Sequence, residues 1–292
     1  MSEWTIGIIG GSGLYATDAL EDARWILVDT PWGKPSDALL IGRIHGVKFV
    51  FLPRHGRGHR LPPSHVNARA NIDALKRAGC TDILALSAIG SLKEELSPGT
   101  FVVVDQFIDR TFARERSFFG PGVVAHVPMA DPVCPRLSDI AANAAQVAGA
   151  NVARGATYLA MEGPQLSTRA ESRLYRQWEC DVIGMTAMPE ARLAREAELP
   201  YGLVGMVTDY DCWRHEDDDV DIADILAQLQ ANAATAQRLI VEFAKALPKE
   251  RAPSPIDTVL DTALITPREA RDPALMAKLD TICARVTGGH DP

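Results

Sequence analysis

Thr5-Ile6-Gly7-Ile8-Ile9-Gly10-Gly11-Ser12-Gly13 opens the chain with a short apolar run that ends in a cluster of glycines. The run reads as a buried strand, and the glycines read as a tight turn at its end. Glycines there also let backbone N–H groups converge on an anion, and Ser12 adds a hydroxyl donor. The same residues admit a second reading. Gly11-x-Gly13-x-x-Ala16 fits the dinucleotide fingerprint, with Asp29 at about the right distance downstream. A tight turn that binds nothing is the third reading, and the nine residues alone leave all three open.

Outward from this strand, apolar runs alternate with helical patterns. Trp25–Asp29, Leu39–Ile44, Val47–Leu52, Ile83–Leu86, Phe101–Asp105, Tyr158–Met161, Asp181–Met185 and Leu203–Thr208 read as strands. Residues 66–78, 136–149, Thr168–Trp178 and Pro189–Glu198 read as helices. The clearest helix is 220–247, where Ile222, Ile225, Leu226 and Leu229 recur on one face. This alternation predicts an α/β fold, a single domain with a central mixed β-sheet flanked by helices, over residues 1–247. Pro248–Pro255 reads as a polar linker. Beyond it, 248–292 is expected to be a C-terminal helical extension with one helix from Pro267 to Val286. It is too short for a core of its own, so it should pack on the main domain or on a neighbouring subunit.

Composition narrows the function. Hydrophobic residues make up 47% of the 292, enough for a buried core. Thirty basic residues against 38 acidic give a net charge of −8, which disfavours a nucleic-acid partner without a local basic patch. No apolar run approaches the ~20 residues that span a bilayer, and the N-terminus lacks a basic signal region. Five scattered cysteines with no C-x-x-C argue against a zinc site or a disulfide framework and point to the cytoplasm.

Polar residues gather where the predicted strands end. Pro53-Arg54-His55-Gly56-Arg57-Gly58-His59-Arg60 crowds cations into a loop, which in an acidic chain suits a small anion or a solvated surface. Ser87-Ala88-Ile89-Gly90-Ser91 offers hydroxyls and close backbone approach. Thr208-Asp209-Tyr210-Asp211-Cys212-Trp213 puts two carboxylates at i and i+2. If the segment stays extended they share a face. Paired carboxylates suit a purine edge, where one raises the pKa of the other, but on its own the pattern equally reads as a turn with exposed acids. Glu216–Asp219 reads as a solvated acidic loop rather than a metal site.

Together these segments carry a resemblance. GIIGGSGL (7–14), PRHGRGHRLPPSHVNARAN (53–71), SAIGSLKEE (87–95), DQFIDRT (105–111), HVPMADPVCP (126–135), EGPQLSTRAE (162–171), DVIGMTAMPEARLA (181–194) and TDYDCW (208–213) resemble, in order, the trimeric branch of the purine nucleoside phosphorylase superfamily, in particular its methylthioadenosine-cleaving members. The resemblance spans roughly residues 5–245 and implies phosphorolysis of S-methyl-5′-thioadenosine to adenine and 5-methylthioribose 1-phosphate.

It places Ser12, Arg54, His55, Ser87, Ala88 and Thr186 at the phosphate, with Asp209 and His55 catalytic. Met185 packs under the sugar, and Asp209 and Asp211 face the purine. Leu166 and Ser167 lie near the base, and Ile222, Ile225 and Leu226 line the methylthio pocket. His126 reaches a neighbouring subunit's site. No metal or organic cofactor is implied, since inorganic phosphate is the co-substrate. The implied partners are a small nucleoside and phosphate, with no nucleic acid or membrane, in a homotrimer or a hexamer of paired trimers. Leu166, Gly184 and Gln165 stand where such an enzyme carries an aromatic residue, Asn and Arg. Residues 250–292 find no counterpart in the resemblance. Four alternatives remain: an inosine or methylthioinosine phosphorylase, a Ca²⁺-dependent nucleoside hydrolase, a non-catalytic binding protein, and an NAD-binding oxidoreductase. The short interval between Ala16 and Trp25 leaves the last little room for a crossover helix.

Overall fold

Side chains alternate along β1 (Thr5–Gly10), so this strand feeds two separate cores. Ile6 and Ile8 enter one and Ile9 the other. The structure is a computed structural model that describes residues 3–11, 13–14, 19–214 and 222–287, with the side chains of 222–225 left out.

Nine described strands form one mixed sheet. β1 lies parallel to both β4 (Val47–Pro53) and β5 (Asp82–Ser91). β3 (Leu39–Ile44) and β2 (Glu21–Ile26) continue the wing beyond β4 in antiparallel pairs. On the other side β5 meets β8 (Val182–Gly184), then come β7 (Asn151–Ala160), β6 (Thr100–Asp109) and β9 (Tyr201–Asp209). β9 also pairs in parallel with β5, so this half of the sheet closes into a ring. Closure is the feature that strand periodicity does not reveal. β5 alone belongs to both ring and wing.

Helices cover both faces. α1 (Ala68–Arg77) and α4 (Ala187–Glu196) pack on the Ile9 side. α2 (Pro135–Val147) and α5 (Ile222–Ala246) pack on the Ile6 and Ile8 side. α3 (Arg169–Gln177) starts on a capping box in which Thr168 and Glu171 satisfy each other's backbone N–H groups.

β5, β6 and β7 run longer than the expected Ile83–Leu86, Phe101–Asp105 and Tyr158–Met161, and two further elements differ in place or continuity. The strand expected at Trp25–Asp29 lies at Glu21–Ile26, because β3 begins at Leu39, the partner of Ile26, and offers nothing beyond it. The helix expected over Pro267–Val286 is broken into α7 (Pro273–Lys278) and α8 (Ala284–Thr287), preceded by α6 (Leu260–Ala263). Pro273 has no N–H to continue a helix, and Asp272 is extended and caps a new one. The tail packs on the same chain. Leu260, Leu279, Ile282 and Cys283 join the core beside α1 and α4. Its start is tied down by Arg251, which pairs with buried Asp82 and with Asp257, and by the Trp4 indole N–H, which donates to Pro248 O at 2.8 Å.

Candidate active site

β5 changes partners in mid-course, and the change opens a cleft. β1 pairs with it as far as Ala85, and β8 joins it only at Gly90. Between these points no described strand covers that edge, and Ala88 is exposed in the middle of the strand. Such switch points are where open α/β sheets bind ligands.

The gap fills with polar groups from neighbouring strand ends. Ser87 follows Ile83 and Ala85 onto the α4 face of β5. There its Oγ lies 2.9 Å from Thr186 Oγ1, in the turn between β8 and α4. Met188 in that turn is extended (φ −113°, ψ 136°), as a residue before proline prefers, so the regular helix starts at Pro189. The Thr186 N–H donates to the hydroxyl of fully buried Tyr158 at 3.3 Å. Tyr158 also accounts for Gly184: a Cβ there would sit 2.1 Å from the phenol oxygen. The phenol thus fills the space of the side chain absent at 184.

Gly10 is needed for close approach. A Cβ on it would lie 2.1 Å from Leu14 Cδ1. Its carbonyl accepts the Arg54 N–H at 2.9 Å, which brings the cationic loop to the end of β1. Arg54 is only 2% exposed, and its guanidinium is largely engaged. Nε and Nη2 donate to the two carboxylate oxygens of Glu190 at 2.9 and 3.0 Å, Nη1 to Leu86 O at 2.9 Å and Nη2 to Ile9 O at 3.4 Å. Of the five donors of a guanidinium, one Nη1 N–H remains. Glu190 accepts a further bond from the Tyr201 hydroxyl at 2.8 Å. His55 Nδ1 donates to Leu61 O at 2.9 Å, and the ring stacks on His59 at 4.3 Å. Burial, and then the charge of Arg54, hold its imidazole down at about 4, so it is neutral at pH 7.

The carboxylate pair lies where β9 ends beside Gly90, its partner in the parallel pairing. The segment does not stay extended: Asp211 has a φ of 52°, and its N–H donates to Asp209 Oδ1 at 2.8 Å. A short acidic side chain that caps the N–H two residues on is an Asx turn, and it keeps the two carboxylates together although the strand has ended. Thr208 Oγ1 donates to Asp209 Oδ2 at 2.7 Å. Asp211 is 8% exposed and its Oδ2 has no hydrogen-bond partner among the described residues. Burial, and next the charge of Asp209, push its carboxyl up. The Cys212 thiol donates to Ser167 O at 3.1 Å, which brings Ser167 to this turn, and Leu166 beside it is 59% exposed.

Arg114 links the segments. It pairs with Glu162 at 3.1 Å and donates to the carbonyls of Glu162, Met185 and Met188 at 2.6–2.7 Å. Met185 and Thr186 are thereby held from both sides. Burial alone would raise Glu162, but hydrogen bonds from Ser64, Phe112, Ala113 and Arg114 hold it down at about 2.

Along the carboxyl half of β5 the structure thus places Thr186 against Ser87, Arg54 at the Leu86 carbonyl with His55 next to it in the chain, Asp209 and Asp211 beside Gly90, and Ser167 at the turn after them, while Met185 is held through its carbonyl by Arg114 and Ala88 is exposed on the strand. Ser12 and the acidic run 216–219 lie outside the described residues. Ile222 and Ile225 fall on the first turn of α5, where only the backbone is described, and Leu226 is 54% exposed. His126 is exposed, and its N–H donates to Ala263 O in the tail at 2.9 Å. Glu190, Tyr201, Tyr158, Arg114 and Glu162 were not singled out from the sequence. The available signals were an acid among the apolar residues of α4 and the density of charge at residues 109–116.

Residues 5–245 match the model of the phosphorylase superfamily. The chain belongs to the phosphorylase superfamily. Within that superfamily it is 57% identical over 286 residues to the S-methyl-5′-thioadenosine phosphorylase of Cereibacter sphaeroides, covering 97% of this chain and 99% of that protein. It is 56% identical over 291 residues to the enzyme of that name from Bradyrhizobium diazoefficiens, covering 99% and 100%. A methylthioadenosine phosphorylase from an antarctic soil metagenomic library superposes with a TM-score of 0.92 at 46% identity, over 97% of this chain and 99% of that one. The adenine complex of the Schistosoma mansoni methylthioadenosine phosphorylase gives a TM-score of 0.80 at 35% identity, over 97% and 98%. These alignments leave too few residues over to omit the tail, so residues 250–292, for which no counterpart was expected, do have one in these phosphorylases.

Proposed function

We propose that this phosphorylase cleaves S-methyl-5′-thioadenosine with inorganic phosphate, giving adenine and 5-methylthioribose 1-phosphate. One observation carries the reading: Ser87, whose hydroxyl meets Thr186, and Gly90, the strand partner of Asp209, lie three residues apart on β5. That is about 10 Å of extended chain, room for a ribosyl ring between an anion and a departing base. Near-full-length likeness to methylthioadenosine phosphorylases supports the choice of nucleoside.

Phosphate sits against Ser87, Thr186, the backbone at Ala88 and the open N–H of Arg54, and His55 and Ser12 are assigned to it from the family resemblance. Held there, it attacks C1′ of a sugar resting on Met185. The bond to N9 breaks as the sugar becomes cationic and the purine gains negative charge. Burial favours the protonated form of Asp211, so this carboxylate pair has a proton to share with purine N7 while it accepts from the 6-amino group. Leu166 and Ser167 border the base, and Ile222, Ile225 and Leu226 border the methylthio end. The chemistry needs no metal and no organic cofactor.

On this reading the enzyme is a cytoplasmic homotrimer in which exposed His126 approaches a neighbour's nucleoside, and paired trimers would make a hexamer. Sedimentation at working concentration tests the assembly. No helix among the described residues is long and apolar enough to cross a membrane.

The deciding experiment follows base release from methylthioadenosine, adenosine, inosine and methylthioinosine, with and without phosphate. Phosphate-dependent cleavage, fastest with methylthioadenosine, is expected. Cleavage without phosphate refutes phosphorolysis, and a preference for inosine refutes the adenine assignment.

A further inference from the structure

The anion end of the cleft is rich in arginines, yet its buried cations are matched among the described residues. Arg54 is bidentate to Glu190, which the Tyr201 hydroxyl braces from behind. Arg114 is paired with Glu162. Arg57 and Arg60 share Asp37 at 2.9 and 3.9 Å, but their side chains are 50% and 61% exposed, where water screens them. His55 donates its Nδ1 proton to Leu61 O and adds no charge in the neutral range.

We propose that the buried anion cradle carries no net formal charge, and that Glu190 is the positioning residue responsible, neutralising Arg54 and leaving it one N–H for the anion. The inference rests on the phosphorolysis reading and gives it an electrostatic reason. Among the described residues phosphate is held by dipoles: the hydroxyls of Ser87 and Thr186, a strand backbone and one guanidinium N–H. Its own charges stay uncompensated in the ground state. They find a partner only when C1′ becomes cationic, so the interaction is stronger in the transition state than before it, which is what accelerates a reaction. A free Arg54 charge would grip phosphate from the start and repel the sugar cation. Arg54 is 2% and Glu190 4% exposed, so the medium does little to blunt the difference.

The test titrates inorganic phosphate into the nucleoside-free enzyme by calorimetry and measures turnover in parallel. Glu190→Gln keeps the shape and removes the charge. It is expected to bind phosphate about ten- to a hundredfold more tightly while kcat falls. Equal or weaker binding by a variant with a cooperative thermal transition overturns the proposal. A mutant cycle decides the matter if that variant does not fold. Arg54→Met strands the Glu190 carboxylate beside the anion, and adding Glu190→Met should restore phosphate binding by about tenfold or more. A double variant no better than Arg54→Met overturns the proposal as well. Failure of the underlying reading looks different, because the unaltered enzyme would then neither bind phosphate nor use it.

Discussion

At the scale of single residues, the cleft rests on fits with little slack. Gly184→Ala drives a methyl group into the Tyr158 hydroxyl, which is the neighbour of Thr186. It should cost about 1–3 kcal/mol of stability in urea unfolding and raise the KM for phosphate more than that for nucleoside. Tyr158→Phe in the same chain should recover part of the stability. Asp209→Asn should lower kcat by about a hundredfold or more, while Asp139→Asn, on an exposed pair with Arg154, should leave it unchanged in the same assay. Most residues of the cleft were legible in the sequence, because hydroxyls, cations and paired acids stand out at strand ends. Their second layer was not. Glu190 and Tyr201 look like ordinary members of a helix and a strand until the fold brings them behind Arg54, 136 residues away from Glu190 along the chain.

At the scale of elements, strand existence followed from apolar runs, and lengths did not. β5 reads as Ile83–Leu86 and is ten residues long, because its polar end, Ser87–Ser91, is paired by β9 and β8 rather than by its own hydrophobicity. The tail misleads for another reason: Pro273 starts a new short helix after the extended Asp272, so no helix runs on from Pro267. Charge anchors the start of the tail, ahead of the apolar residues that join the core. Asp82 is fully buried beneath Arg251 and Arg136. Arg251→Met should therefore destabilise the protein by about 3–5 kcal/mol, since it exposes a buried carboxylate to partial loss of its partners. Arg251→Met combined with Asp82→Asn should be milder, and chemical denaturation of both variants checks the pair.

At the scale of the whole molecule, stability should vary with pH through Glu196 at the end of α4. Its oxygens accept from Ser117 Oγ and Phe118 N, both at 2.7 Å. Burial, only partly opposed by these bonds, pushes the carboxyl up from 4.5 to about 7. The folded protein keeps a proton that the unfolded chain releases, so the stability from this group is full below 4.5 and is lost as the pH rises through about 7. The difference corresponds to at most about 3 kcal/mol. Glu196→Gln should flatten the fall in melting temperature between pH 5 and pH 8, and an undiminished fall refutes the assignment. The class of fold and the two helical layers were legible from alternation alone. Ring closure was not, because no local pattern encodes which edges meet.

Closure has a consequence for synthesis on the ribosome. β5 emerges early, but its partners β8 and β9 come about a hundred residues later, so the cleft requires contacts of long sequence separation. A nascent polypeptide halted before Asp209 would hold the anion-binding loops without the carboxylates that meet the base. Such a product has no partial activity to display, and the enzyme begins to exist as a catalyst only when its last strand slides in beside the fifth.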